Sequence, residues 1–191
     1  MSRTREPRRS DVTTVELVGG IEKRDLALTP YDPQWPTVYA GHERRIRAAL
    51  GPAARVEHTG STSVPGLSAK PIIDILVLVD DITAEEDYLE QLLAAGYELR
   101  TREPGHRLVR TPDRDVHVHV HEVGSREAED VLLFRDRLRS EPAERELYER
   151  TKRALLDRDW PDMNAYSDAK TEVITAIKER ARASSRTRPP T

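Results

Sequence analysis

Glu57-His58-Thr59-Gly60-Ser61-Thr62-Ser63, followed after a Pro-Gly turn by Ile72-Ile73-Asp74-Ile75-Leu76-Val77-Leu78-Val79, is the stretch on which the reading of this chain turns. Ala54 to His58 is short and leads into a cluster of Gly, Ser and Pro, the pattern of a strand that ends in a loop. Ile72 to Val79 is a nearly unbroken β-branched and aliphatic run, as in a strand buried on both faces. Asp74 interrupts it. A carboxylate placed there must be compensated for its lost hydration. Either it holds a metal ion, since Mg²⁺ takes one or two carboxylates together with waters and substrate phosphates, or it accepts hydrogen bonds from loop amides at the strand end.

Around this pair of strands lie further candidates. Gly60-Ser61-Thr62-Ser63 offers flexible backbone and hydroxyls directly after a strand, which reads as a small phosphate nest or as a plain turn. Lys70, four residues before Asp74, pairs with phosphate or with a surface carboxylate. Glu57 and His58 are adjacent on one strand and point to opposite faces, so only one of them looks into the same pocket as Asp74. His117, His119 and His121 alternate along Val116 to Glu122 and share a face suited to metal or phosphate. Alternate strand positions are about 6 to 7 Å apart, so one or two of these histidines are expected at the site and the rest in solvent. Tyr148 with Lys152, and Tyr166 with Lys170, are i,i+4 pairs that either close over an anion or serve as packing and a solvated rim.

Working outward, Thr29 to Pro36 carries prolines at 30, 33 and 36, which force an extended path that Trp35 packs down. Helical spacing predicts a first helix over Thr37 to Leu50, stopped by Gly51-Pro52, and a second over Thr83 to Ala95 with Thr83 as its N-cap. Strands are expected at Tyr97 to Thr101, Leu108 to Thr111 and Val116 to Glu122. After Gly124-Ser125 the period becomes helical: Glu127 to Arg139, a helix opened by Pro142, and a last one from Asn164 to about Arg182. Strands first and helices afterwards predict an α+β fold, a mixed sheet with flanking helices and a C-terminal helical layer. Residues 1–20 and 184–191 read as disordered tails. Residues 21–183 read as one domain, its α/β core running to about 125 and a helical extension over 126–183.

Composition narrows the function. The chain has 191 residues, 37% hydrophobic and 34% charged, enough for one domain with a modest core. A net charge of -3 with interspersed signs, and a single Phe, argue against a nucleic-acid binder. Without cysteine there is no disulfide, thiolate metal site or cysteine nucleophile. No signal region or membrane-length apolar run is present, so no membrane partner and a cytoplasmic location are expected. A Gly-x-x-x-x-Gly-Lys-Ser/Thr phosphate loop is also missing.

Taken together, Tyr31-Asp32-Pro33-x-Trp35, the block Glu57 to Asp74, the His-Val-His strand, Phe134-Arg135-Asp136-x-Leu138-Arg139, and the two Tyr-x-x-x-Lys pairs resemble the GrpB-like family over about residues 26 to 182. The resemblance implies a polymerase-β-like nucleotidyltransferase fold, in which the Gly-Ser loop contacts a nucleoside triphosphate. Active members of the wider superfamily hold two metals with a carboxylate pair spaced two apart and a third carboxylate on a neighbouring strand. Asp74 matches the first carboxylate, Leu76 stands at the second, and a histidine of the 117 to 121 strand falls at the third. The implied activity is transfer of a nucleotidyl or phosphoryl group to a small-molecule acceptor, with Mg²⁺ or Mn²⁺. Asp74, Glu57 and His119 are then the expected catalytic residues, and Asp74, His117 and His119 the metal ligands. Gly60, Ser61, Thr62, Ser63, Lys70, Tyr148, Lys152 and Lys170 are the expected nucleotide contacts. Because Leu76 removes an acidic ligand, and because relatives occur fused to dephospho-CoA kinase, the alternative is a degenerate ligand-binding or partner-stabilising module linked to nucleotide or coenzyme metabolism.

Overall fold

Valine and histidine alternate along Val116–Glu122, and that alternation splits the molecule's sheet into two unlike faces. A computed structural model describes residues 8–20, 27–156, 158, 160–161 and 163–186. The strands are β1 (Glu16–Leu17), β2 (Arg55–Thr59), β3 (Ile73–Val79), β4 (Glu98–Glu103), β5 (His106–Arg110) and β6 (Val116–Glu122). They form one sheet of order β1-β4-β5-β6-β3-β2, parallel between β3 and β6 and antiparallel elsewhere. The helices are α1 (Trp35–Leu50), α2 (Leu89–Ala94), α3 (Arg126–Ser140), α4 (Pro142–Leu156), α5 (Met163–Asp168) and α6 (Thr171–Arg186).

On one face, Val56, Ile73, Ile75, Val77, Val109, Val116, Val118 and Val120 are buried with Ile46 of α1 and Leu89 and Leu92 of α2. Each such side chain contributes roughly 1.5–3 kcal/mol when fully withdrawn from water, so this face carries the main core. The other face receives the alternate residues. Across it the register aligns Thr59, Asp74 and His117 in one row and Glu57, Leu76 and His119 in the next. A second core joins Val64 and Leu67, just beyond the Gly-Ser loop, to Leu138 of α3, Tyr148 of α4 and Ile177 of α6. The C-terminal helices are thereby clamped over the end of β2. Thr29 and Ala69 exchange backbone hydrogen bonds of 2.9 and 3.0 Å, which ties the proline-rich segment to the same loop region.

The mixed sheet with a C-terminal helical layer is the expected architecture, with three corrections. Residues 8–20 are not a free tail: Glu16 and Leu17 pair with Arg102 and Thr101 of β4, and Asp11 accepts a 2.6 Å hydrogen bond from the buried Arg107 guanidinium. Their partners lie far along the chain, so local composition does not reveal them; residues 1–7 fall outside the described residues. The second helix is shorter than its sequence pattern. Thr83 bonds Asp81 at 2.7 Å instead of capping, a 3₁₀ turn occupies Glu85–Asp87, and Tyr88 donates its hydroxyl to Ile82 O at 2.7 Å, delaying the helix to Leu89. The last helix is two, α5 and α6, and α6 runs on to residue 186, past the expected boundary at 183. Ser125 caps α3 by accepting from Ala128 N at 3.4 Å. Among the described residues no helix is long and apolar enough to cross a membrane.

Candidate functional site

Asp74 is the second residue of β3, and the sheet register sets His117 beside it on β6. His119 Nε2 lies 3.4 Å and His117 Nδ1 3.8 Å from Asp74 Oδ1. One donor atom from each of the three lies within 4.8 Å of the others. Burial pulls the Asp74 carboxyl upward, but the His119 hydrogen bond and the fields of His119, His117 and Lys170 outweigh it and hold the carboxyl below its usual value. Leu76, the next residue on this face, is fully buried.

Gly60 turns the chain out of β2 at φ 67°, and a Cβ there would stand 2.2 Å from Asp74 Oδ2. Glycine is required on both counts. Beyond it Ser61–Ser63 form a 3₁₀ turn. Ser63 Oγ donates to Gly60 O at 2.6 Å, and Thr62 Oγ1 donates to Ile72 O at 3.3 Å, so both hydroxyls serve the loop itself. Ser61, half-buried, instead meets the C-terminal helices, accepting from Lys152 Nζ at 3.2 Å.

The Tyr148-Lys152 pair meets this loop, and the Tyr166-Lys170 pair lies within the field of Asp74 and Lys70. Lys152 is 2% exposed, lies 4.9 Å over the Tyr148 ring and also donates to the Ser68 carbonyl. Burial, reinforced by the charge of Lys170, brings its ammonium down to about 7. Lys170 lies 4.4 Å over Tyr166; burial lowers its proton affinity, Asp74 supports it and Lys70 opposes it. Tyr148 is hydrogen-bonded to Ser61, and burial raises its hydroxyl pKa. Asp74, Ser61, Lys70, Tyr148, Lys152 and Lys170 therefore share one neighbourhood, with one carboxylate facing several cations.

Of the pair on β2, Glu57 shares the face of Asp74, and its Oε2 accepts from Arg135 Nη1 at 2.8 Å. His58 turns to the apolar side, stacked on Tyr39 with ring centroids 4.6 Å apart, and burial brings it down to about 4. His121 is a correction. It is not solvent-facing but buried, stacked on His106 at 4.6 Å, and its Nδ1 has no hydrogen-bond partner among the described residues. His106 itself escaped the sequence reading. Its Nε2 meets His119 Nδ1 at 3.1 Å and its Nδ1 meets Glu103 Oε2 at 3.2 Å. Pro104-Gly105, with Gly105 at φ 72°, was the available signal, because a tight hairpin there sets His106 opposite His121. A cleft of about 860 Å³ opens at the far end of β3 beside Asp80 and Asp81 and shares no lining residue with this cluster.

The donor set suits some ions better than others. Mg²⁺ requires a nearly all-oxygen octahedral shell, and here the three residues offer one carboxylate and two imidazoles. Imidazole nitrogen suits the later first-row ions best, and of the two expected metals Mn²⁺ accepts it more readily than Mg²⁺.

The Gly60 turn is pressed against Asp74 on a mixed sheet capped by C-terminal helices, an α+β arrangement. Residues 25–180 match the family model described as GrpB protein, and the chain belongs to the GrpB family. It is 63% identical to the UPF0157 protein SCO7215 of Streptomyces coelicolor, over 94% of this chain and 96% of that protein. The solved structure of the conserved protein GrpB from Enterococcus faecalis superimposes with a TM-score of 0.71 at 32% identity, covering 81% of this chain and 96% of that one. A protein of Mycolicibacterium paratuberculosis named dephospho-CoA kinase is 31% identical over 84% of this chain, and the match spans 47% of that protein.

Proposed function

We propose that the chain transfers a nucleotidyl or phosphoryl group from a nucleoside triphosphate to a small-molecule acceptor, using a divalent metal held by Asp74, His117 and His119. The observation that carries this reading is the convergence of that metal-competent trio with the Gly60 turn and a lysine cluster on one face of the sheet. The bound metal would neutralise charge on the phosphates as it develops in transfer. Ser61, Lys70, Lys152 and Lys170 take the phosphate oxygens, Tyr148 positions Lys152 and Ser61, and Thr62 and Ser63 hold the loop in shape. In nucleotidyl transfer the acceptor oxygen bonds the α-phosphorus, the bond to the bridging oxygen breaks, and pyrophosphate leaves. Glu57, on the same face, receives the acceptor's proton.

Thermal shift with ATP, GTP, CTP and UTP, each with Mn²⁺ or Mg²⁺, tests the reading beside Asp74→Asn. Stabilisation of the wild type by a triphosphate with metal, lost in Asp74→Asn, is expected. No stabilisation by any combination sinks it. Leu76 supports a second reading, a non-catalytic ligand-binding module, and the likeness to a protein named dephospho-CoA kinase supports a setting in coenzyme metabolism. In that case triphosphate binding survives Asp74→Asn and no pyrophosphate is released with any acceptor.

A further inference from the structure

Resting on the metal reading above, we infer that Glu103 and His106 form an ordered hydrogen-bond chain that fixes the tautomer of His119 and presents its Nε2 as a bare donor to a divalent first-row metal ion beside Asp74. The argument is a count of protons. Three contacts run in series: Glu103 Oε2 to His106 Nδ1 at 3.2 Å, His106 Nε2 to His119 Nδ1 at 3.1 Å, and His119 Nε2 to Asp74 Oδ1 at 3.4 Å. Each contact needs one proton, yet a neutral imidazole carries only one N–H and a carboxylate only accepts. Two imidazoles supply two protons for three contacts.

The carboxylate of Glu103 claims the first, fixing Nδ1–H on His106. His106 Nε2 is then an acceptor, which fixes Nδ1–H on His119. With both imidazoles neutral the deficit falls at the far end, where His119 Nε2 and Asp74 Oδ1 stand lone pair to lone pair; a third proton closes that contact as the His119 hydrogen bond to Asp74. A cation relieves that opposition, and His117 Nδ1, 3.8 Å from the same oxygen, is placed to share it. The arrangement is the one found behind many ligating histidines, in which the second ring nitrogen is tied to a carboxylate or other acceptor. Here a second histidine is interposed, and its ring is held by stacking on His121 at 4.6 Å.

Three variants and two readouts decide it. Binding of MnCl₂ is followed by the electron paramagnetic resonance of free Mn²⁺, and the tautomer of His119 by long-range ¹⁵N–¹H correlation in metal-free protein at pH 8. The wild type should bind Mn²⁺, resist a tenfold excess of Mg²⁺, and carry the proton of His119 on Nδ1. His106→Phe keeps an aromatic ring but removes the acceptor; it should bind Mn²⁺ about 10- to 100-fold more weakly and move the His119 proton to Nε2. His121→Phe, which leaves the chain intact, should change neither. Should His106→Phe fail to fold by circular dichroism, Glu103→Ala, at a more exposed position, decides by the same two readouts. If the wild type binds no Mn²⁺, the metal reading and this inference fall together. If the wild type binds and the His106 or Glu103 variant binds within twofold with an unchanged tautomer, this inference alone is overturned.

Discussion

Gly60 lies against Asp74 so closely that a methyl group on residue 60 would stand 2.2 Å from Asp74 Oδ2 and 2.9 Å from its Cβ and Cγ. The contact joins the end of β2 to the start of β3, and it allows the carboxylate to sit beneath the Gly-Ser loop. Gly60→Ala is therefore expected to do two things. The positive φ and the clash with β3 backbone-proximal atoms should lower stability by about 1–3 kcal/mol in urea titration. Metal binding should weaken as well, because Asp74 must rotate away to make room. Gly66→Ala, also at positive φ but with nothing near its Cβ position, is the control that separates strain from contact.

Lys152 gives a pH dependence of definite sign. Its ammonium ionises near 7 in the folded protein, chiefly through burial, against 10.5 unfolded. Between these values the unfolded chain binds more protons, so folded stability rises with pH relative to a variant lacking the group. The difference in unfolding free energy between wild type and Lys152→Met should be flat below pH 7 and climb above it by up to about 1.4 kcal/mol per pH unit. A triphosphate placed against Lys152 reverses the loss of charge. Calorimetric ATP binding at pH 8 should accordingly show proton uptake, read as an enthalpy that varies with the ionisation enthalpy of the buffer.

The elements legible in the sequence were those whose signal is local. The Ile73–Val79 run, the Val-His alternation of β6 and the helical stripe of α3 each state their own period, and with them came the face that gathers Asp74, His117 and His119. The Gly60–Ser63 turn was legible as a loop, but the inward commitment of Thr62 and Ser63 was not, since Ile72 O, the acceptor for Thr62, belongs to the next strand. Glu103 and His106 were hidden for the same reason. Their roles depend on cross-strand register with β6, which a single residue at the hairpin turn decides. Residues 8–20 depart from the expected tail, because their polar composition is that of a tail while the ion-pair partner of Asp11 lies about ninety residues away.

That segment yields the third prediction. Asp11 accepts from Arg107 Nη2 at 2.6 Å and from Gly105 N at 2.6 Å; these bonds outweigh burial and hold its carboxyl below the ordinary range. Arg107 is 2% exposed and also donates to Glu85 at 2.6 Å. Asp11→Ala removes the carboxylate from Arg107 Nη2, leaves the buried guanidinium with Glu85 on Nε as a carboxylate partner, and should cost about 1–3 kcal/mol. A depressed carboxyl stabilises the fold above its unfolded value and loses that contribution as pH falls. The deficit of Asp11→Ala should thus be full at pH 7 and shrink towards pH 3, by denaturant titration at both.

Leu76 tests whether a second metal position lies latent in this sheet. It stands between Glu57 and His119 in the register and is fully buried. Glu57 is already paired with Arg135 at 2.8 Å, and His119 is drawn to Asp74, so a carboxylate at 76 meets no ready partner. Leu76→Asp should lose about 3–5 kcal/mol, the range expected for an uncompensated buried charge. Adding Mg²⁺ separates two accounts of the loss. If the face still holds the geometry for a two-metal site, Mg²⁺ should restore most of the unfolding free energy, because a bound ion stabilises the folded state by RT ln(1 + L/Kd), where L is the free ion concentration. The face offers two imidazoles to one carboxylate, a set poorly matched to Mg²⁺, so Mg²⁺ at millimolar concentration is expected to leave the deficit in place.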